Sequence, residues 1–171
     1  MKRCRRQFAQ TSPLKTRLQG KLILLGATAG GVGYTPIFPG TVGTVAAIPF
    51  SLGLNRLAEV SVLGATIVLV FTIFSAIALA DKASELLQKR DPGIIVIDEV
   101  VGFLVGNFSA PMTVSALLAS FLLFRFFDIA KVFPASRLEW LPGGAGIVLD
   151  DIMAGIYTFT LIQLLLAWGI I

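Results

Sequence analysis

The sequence predicts an all-α fold: a compact, membrane-associated bundle of several helices with a Gly/Pro-rich loop near its N-terminus. Three observations predict it. Of 171 residues, 56% are hydrophobic and 14% are charged, and that charged share is about half of what an ordinary soluble domain uses to cover itself. Two stretches, 60–80 (VSVLGATIVLVFTIFSAIALA) and 152–171 (IMAGIYTFTLIQLLLAWGII), are long, apolar and uncharged. At about 1.5 Å rise per residue, each reaches across a hydrocarbon layer of about 30 Å. The β-branched run GIIVID (93–98) is the one strand-like segment. It has no partner strand, and an open sheet edge is not viable in lipid, so helix is the expectation there too.

The elements follow in order. Residues 1–20 are expected to be a basic, flexible arm, and 21–171 a single helical domain. Seven basic residues lie in the first 21, and no acid occurs before Glu59. A basic arm beside a greasy body suits anionic lipid headgroups. It lacks the interleaved aromatics of a nucleic-acid-binding patch, so no nucleic-acid partner is expected. A solvated tail and an organelle transit peptide are the other readings of the arm. Glycines and prolines then interrupt residues 30–44, and a helix is expected to start near Thr44. The clearest crossings are 58–80 and 152–170. Segments near 94–107 and 112–128 are shorter, and 81–91 (DKASELLQKRD) is a polar helix extension or loop in water. In all, four to six helices are expected. Basic residues in the arm and in 81–91 place both on the cytoplasmic side.

Composition also excludes chemistry. There is no histidine and one cysteine, Cys4. Histidine-dependent triads, phosphohistidine intermediates, zinc clusters and a disulfide scaffold are therefore ruled out.

Four groups of residues stand out from the apolar background. The loop GGVGYTPIFPGTVGT (30–44) offers backbone N–H groups and the hydroxyls of Thr41 and Thr44 to an anion at a helix N-terminus. It lacks the Gly-Lys-Ser/Thr ending of a nucleotide-binding loop, and a plain turn is the alternative. Two look-alike segments, IVIDEVVG and IVLDDIMAG, carry the pairs Asp98–Glu99 and Asp150–Asp151. Each segment has a glycine one helical turn beyond a carboxylate, Gly102 or Gly155, which would open space beside it. Four carboxylates in apolar runs repel one another unless a divalent cation joins them, and hard oxygen ligands suit Mg²⁺. The alternative is that each pair merely starts a helix at the membrane surface. Finally, RFFDIAKVFP (125–134) repeats Arg125, Asp128 and Lys131 every three residues. On a helix these form either a phosphate clamp with a carboxylate or an internal salt-bridge ladder. Charges in so apolar a segment are functional candidates.

Together these residues imply a Mg²⁺ site beside a phosphate site at a membrane. The stretches PIFPGTVGTVAAIPF, IVIDEVVG, FRFFDIAK and GGAGIVLDDIMAG, in that order, resemble the phosphatidylglycerophosphatase A family. The resemblance implies an all-helical, Mg²⁺-dependent enzyme of bacterial membranes. Its substrate would be a lipid phosphomonoester, phosphatidylglycerophosphate, cleaved to phosphatidylglycerol and phosphate. On this reading Asp98, Glu99, Asp150 and Asp151 hold metal, and Arg125, Asp128 and Lys131 are catalytic. Gly40, Thr41, Gly43, Thr44, Gly143 and Gly144 bind phosphate or headgroup. The enzyme would lie in the inner (cytoplasmic) membrane with its site facing the cytoplasm. Members of the family follow the lysine with proline, whereas Val132 stands here, which predicts that the helix runs on past Lys131. A small membrane carrier or channel for divalent cations is the competing class, since buried carboxylates also mark ion paths. A non-catalytic lipid-binding scaffold is a third.

Overall fold

A computed structural model describes residues 13–171, so most of the expected basic arm lies outside the described residues. Pro13 to Ala27 form α1, Pro39 to Val60 α2, Val62 to Leu87 α3, Ile97 to Gly106 α4, Val114 to Ala130 α5, Ala135 to Leu138 α6 and Gly144 to Ala167 α7. One 3-10 turn, Val32–Tyr34, links α1 to α2. No strand occurs among the described residues.

The uncharged run 60–80 becomes most of α3. Ser61 breaks it from α2 and caps it, its hydroxyl accepting the Gly64 N–H at 3.1 Å. α3 and α7 are long and apolar enough to cross a membrane, whereas α4, at ten residues, is too short. The two long helices differ in setting. On α3, Leu63, Ile67, Phe71 and Phe74 are exposed, a contiguous apolar face of the kind that meets lipid. The protein is membrane-associated. The opposite face of α3 is a stripe of alanines, Ala76, Ala80 and Ala83, spaced three and four apart and fully packed against Ile147 and Val148 of α7. Small residues at this spacing let helices approach closely without a large hydrophobic driving force.

α4 lies inside the bundle, against α2 and α7. Its Val100, Phe103 and Leu104 join Leu54 of α2, Leu69 of α3 and Phe124 of α5 in one core. The Phe103 and Phe124 rings meet edge to face, with centroids 6.0 Å apart. At one end of the bundle the turn after α4 is tied to α2. Asn55 Nδ2 donates to the carbonyls of Asn107 and Ala110, and Asn55 Oδ1 accepts the Ser109 N–H. At the other end lie the charged groups.

Three local expectations are corrected. The run 93–96 is neither strand nor helix. Val96 N–H donates to the carbonyl of Ala27 at 3.0 Å, docking the segment on the end of α1, and α4 begins only at Ile97. α2 starts at Pro39, earlier than Thr44, because a proline at the first helical position loses no hydrogen bond. α5 does not run past Lys131. It ends at Ala130, with Lys131 in the left-handed region at φ 44°. Pro134 disfavours helical backbone at Phe133, so the turn holds even with Val132 in place.

Candidate active site

The site forms where α4 and α7 cross. Both chains thin to glycine there. A Cβ on Gly102 would stand 2.7 Å from the carbonyl oxygen of Asp151 and 2.8 Å from the Phe124 ring, and one on Gly155 would collide with the carbonyl of Gly102. The glycines therefore serve backbone contact between the helices rather than space beside the acids. The contact sets the first turn of α4 against the acids of α7. Asp98, Glu99 and Asp151 each bring a carboxylate oxygen within 4.8 Å of the others.

Asp98 and Asp151 are buried. Asp98 Oδ1, Glu99 Oε2 and Asp151 Oδ2 have no hydrogen-bond partner. Among the described residues, no lysine or arginine forms an ion pair with these three acids. The α4 helix dipole favours acids in its first turn but contributes only about 1 kcal/mol, too little for such burial. Burial first, and the adjacent Glu99 charge second, push the Asp98 pKa well above the usual carboxylate range. Burial also raises the pKa of Glu99. Three crowded oxygen donors with unused lone pairs fit a hard divalent cation.

These shifts fix a sign. A carboxyl whose pKa rises on folding keeps its proton to higher pH in the folded state than in the unfolded chain. The stability it contributes is complete below the ordinary carboxylate range and is lost as pH rises through the raised values. In chelator, the thermal midpoint is expected to fall as the pH is brought from mildly acidic to neutral. A midpoint that climbs over that window would contradict the burial of Asp98 and Glu99.

Asp150, next in chain to Asp151, does not join the three-acid group. Adjacent helical residues point about 100° apart, and Asp150 turns to Lys131, whose Nζ donates to its Oδ2 at 2.9 Å. The same ammonium meets Glu139 at 3.0 Å. Burial works against the Lys131 charge, but its hydrogen bonds to Asp150 and Glu139 outweigh that and hold its pKa above the ordinary lysine value. Arg125 pairs with Asp128 one turn along α5. Asp128 in turn neighbours Glu99 and Asp151. Thus the three-residue repeat is not one ladder. Its arginine and aspartate pair on α5, while Lys131, beyond the helix end, reaches across to α7.

A cavity of about 340 Å³ opens here, walled by Asp98, Glu99, Asp128, Lys131, Asp150 and Asp151. Gly143 lines it too, and the N–H of Gly144 donates to Asp81 Oδ1 at 2.9 Å, pinning the start of α7 to α3. Arg125, Gly40, Thr41, Gly43 and Thr44 stand outside the wall. Thr44 Oγ1 donates to the Gly40 carbonyl within α2 at 2.9 Å. Gly43 packs on Val96, and Thr41 is half-buried. Gly40 is nearer the chemistry: a Cβ there would collide with Glu99 Oε1 and stand 3.3 Å from Arg125 Nη1. Gly40→Ala is therefore expected to lower activity about tenfold or more by displacing Glu99. Gly53→Ala in the same helix, whose Cβ meets nothing within 4 Å, is expected to leave activity unchanged. Equal rates for the two variants would contradict a role for the Gly40–Glu99 contact.

Among the residues on the cavity that sequence reading missed are Arg90, Glu139 and Trp140. Their positions in short polar segments 49 and 50 residues apart gave no spacing signal. A tryptophan just ahead of a Pro-Gly-Gly turn was the one available hint.

The fold and site define a class: a small helical, membrane-associated protein whose buried carboxylates can hold a divalent cation beside a lysine. The model of a family described as phosphatidylglycerophosphatase A matches residues 25–166. The chain belongs to that family, and it is an enzyme, a phosphatase. A phosphatidylglycerophosphatase A of Haemophilus influenzae is 35% identical over 94% of this chain and 99% of its own. That of Escherichia coli K12 is 32% identical over 76% of this chain and 75% of its own. A Bacteroides thetaiotaomicron protein named putative phosphatidylinositol-3-phosphatase is 36% identical over 82% of this chain and 90% of its own. No solved structure matches the chain.

Proposed function

We propose that the enzyme is a Mg²⁺-dependent lipid phosphatase that hydrolyses phosphatidylglycerophosphate to phosphatidylglycerol and inorganic phosphate. One observation carries this reading: three clustered carboxylates, each with a buried and unpartnered oxygen, share a cavity with a lysine ammonium in a chain of this family. Asp98, Glu99 and Asp151 would hold Mg²⁺. When bound, the ion supplies positive charge to phosphoryl oxygens and acidifies water.

The chain's own residues divide the remaining work. Lys131 has three N–H donors, two of them taken by Asp150 and Glu139, which leaves one for a phosphoryl oxygen. Its raised pKa keeps it charged throughout the physiological range. Asp150 and Glu139 orient it. Asp128, held through Oδ2 by Arg125, has a second oxygen for the cavity and takes the proton from the attacking water. Of the glycines at the helix starts, Gly143 lines the cavity and would support phosphate or headgroup through its backbone N–H, whereas the Gly144 N–H is already held by Asp81.

The membrane orientation follows the charges. α1 runs beside α3, Gly20 packing near Leu86 and Gly26 on Leu79, so Arg17 and Lys21 lie toward the end of α3 that carries Lys82, Lys89 and Arg90. That is also the end where Asp81 meets α7. By the positive-inside rule this end, and the site with it, faces the cytoplasm of a bacterial inner membrane. The carrier reading has no support in the comparisons, and Lys131 on the cavity wall would repel a passing cation.

The test is phosphate release by purified protein in mixed micelles with Mg²⁺. Phosphatidylglycerophosphate and phosphatidylinositol 3-phosphate are offered separately, each with and without chelator. Release from the first, abolished by chelator and restored by Mg²⁺, is the expected result. Preferential release from the second would assign the activity named for the Bacteroides relative, and no release from either would overturn the reading.

A further inference from the structure

The cavity is lined by more acid than the reaction uses, and by a second cation that the reaction does not use. Arg90 stands on its rim, following α3. Its Nη2 donates to the Trp140 carbonyl at 2.8 Å, and its guanidinium lies 5.9 Å from the centre of the Trp140 ring. Those partners are neutral. Among the described residues Arg90 forms no ion pair, although Asp91, Asp98 and Glu139 line the same cavity. A guanidinium has five N–H donors in a planar fork suited to phosphate, and the hydrogen bonds of Arg90 to the Glu139 and Trp140 carbonyls use one nitrogen. The rest of the fork is free at the mouth of a site that takes phosphate.

The rim has the character of a membrane interface. Trp140 is 77% exposed, its chain neighbour Leu141 is exposed too, and so are Val132 and Phe133 in the turn after α5. Tryptophan settles at headgroup level, where one edge is apolar and the other wet. Headgroup level is also where a phospholipid keeps its phosphodiester. A lipid such as phosphatidylglycerophosphate carries two phosphates: a terminal monoester, which is cleaved, and a diester, which is not.

We infer that Arg90, propped by Trp140, binds the phosphodiester of the lipid while the monoester lies among Lys131 and the acids below. This rests on the lipid-phosphatase reading and deepens it. Arg90 is then a specificity-determining residue. It tells a lipid bearing both phosphates from a bare phosphomonoester and sets how far the headgroup enters. No bond to the diester forms or breaks.

Product inhibition separates this role from a structural one, because the two products carry one recognition element each. Phosphatidylglycerol keeps the diester; inorganic phosphate resembles only the monoester. Inhibition constants for both are measured on the full-length enzyme in mixed micelles of uncharged detergent, for wild type, Arg90→Gln, Arg90→Lys and Lys89→Gln. Lys89, exposed and outside the cavity, controls for general surface charge.

Arg90→Gln is expected to raise the phosphatidylglycerol constant about tenfold or more and to leave the inorganic phosphate constant in place. Arg90→Lys should recover part of the loss, and Lys89→Gln should change neither constant. If both constants rise together in Arg90→Gln, the residue only props the 139–141 turn and the inference fails. It fails equally if neither moves, or if Lys89→Gln matches Arg90→Gln. Failure of the function itself reads differently, since wild type would then release no phosphate from a phosphatidyl phosphomonoester.

Discussion

Asp98→Asn and Asp151→Asn are each expected to lower Mg²⁺-dependent phosphate release by about a thousandfold or more while leaving the protein folded. The magnitude follows from the several kcal/mol of charge stabilisation that a cation gives a phosphoryl group. Asparagine keeps the shape of aspartate and one acceptor oxygen but not the charge. The folding arm is as informative as the rate. Both acids are buried and short of partners, so removing their charge relieves a desolvation cost. In chelator, the thermal midpoint of each variant is expected to equal or exceed that of wild type. A midpoint that drops sharply would mean that these carboxylates hold the fold together rather than await a ligand. Turnover near the wild-type rate would remove them from the reaction.

The second large effect is expected at residues that touch no substrate. Gly102→Ala and Gly155→Ala each put a methyl group into backbone. At Gly102 it meets the Asp151 carbonyl and the Phe124 ring; at Gly155, the Gly102 carbonyl and Val105. Neither helix can yield locally, because each is fixed along its length by core packing. α4 and α7 must part instead. Overpacking of this kind costs about 1–3 kcal/mol. The larger loss is catalytic, since Asp98 and Asp151 lie one turn from the crossing and part with it. A displacement of about 1 Å costs about a hundredfold in rate. Phosphate release should therefore fall much further than thermal stability, and excess Mg²⁺ should recover part of it by refilling a loosened site. Variants with normal rates would show that the close crossing of α4 and α7 does not set the acid geometry.

Much of this arrangement is written in the sequence, at the level where local chemistry decides. α3 and α7 are legible because uncharged runs of that length have few other uses. The acids of 98–99 and 150–151 are legible because charge in an apolar run demands a reason. What local pattern does not contain is direction. Nothing in the pair Asp150–Asp151 says that the first turns to Lys131 and the second to α4; a helix separates neighbours by about 100°, and tertiary packing chooses which neighbour faces which group. Lys131 is misplaced by periodicity for a related reason. The three-residue repeat holds only while the helix lasts, and α5 stops one residue before the lysine.

Gly102 and Gly155 were visible, but their use was not. A glycine near a carboxylate reads equally as room for a ligand or as room for a second helix, and only the crossing decides. The run at 93–96 shows the same limit. Its β-branched residues satisfy any extended or helical pattern, and the long-range hydrogen bond that docks it runs from the Val96 N–H to the carbonyl of Ala27, far back in the chain. Arg90 and Trp140 meet only because α3 and the α6–α7 turn end at the same side of the bundle.

Asp98, Glu99 and Asp151 are proposed to share one divalent cation within reach of the phosphate being cleaved. Mn²⁺ in place of Mg²⁺ makes this directly observable by electron–nuclear double resonance on the detergent-solubilised enzyme with inorganic phosphate added. One tightly held Mn²⁺ with a resolved phosphorus coupling is expected, with loss of the bound signal in the Asp98→Asn, Asp151→Asn double variant. Mn²⁺ bound equally well by that variant, or bound by wild type with no phosphorus coupling at saturating phosphate, would contradict it.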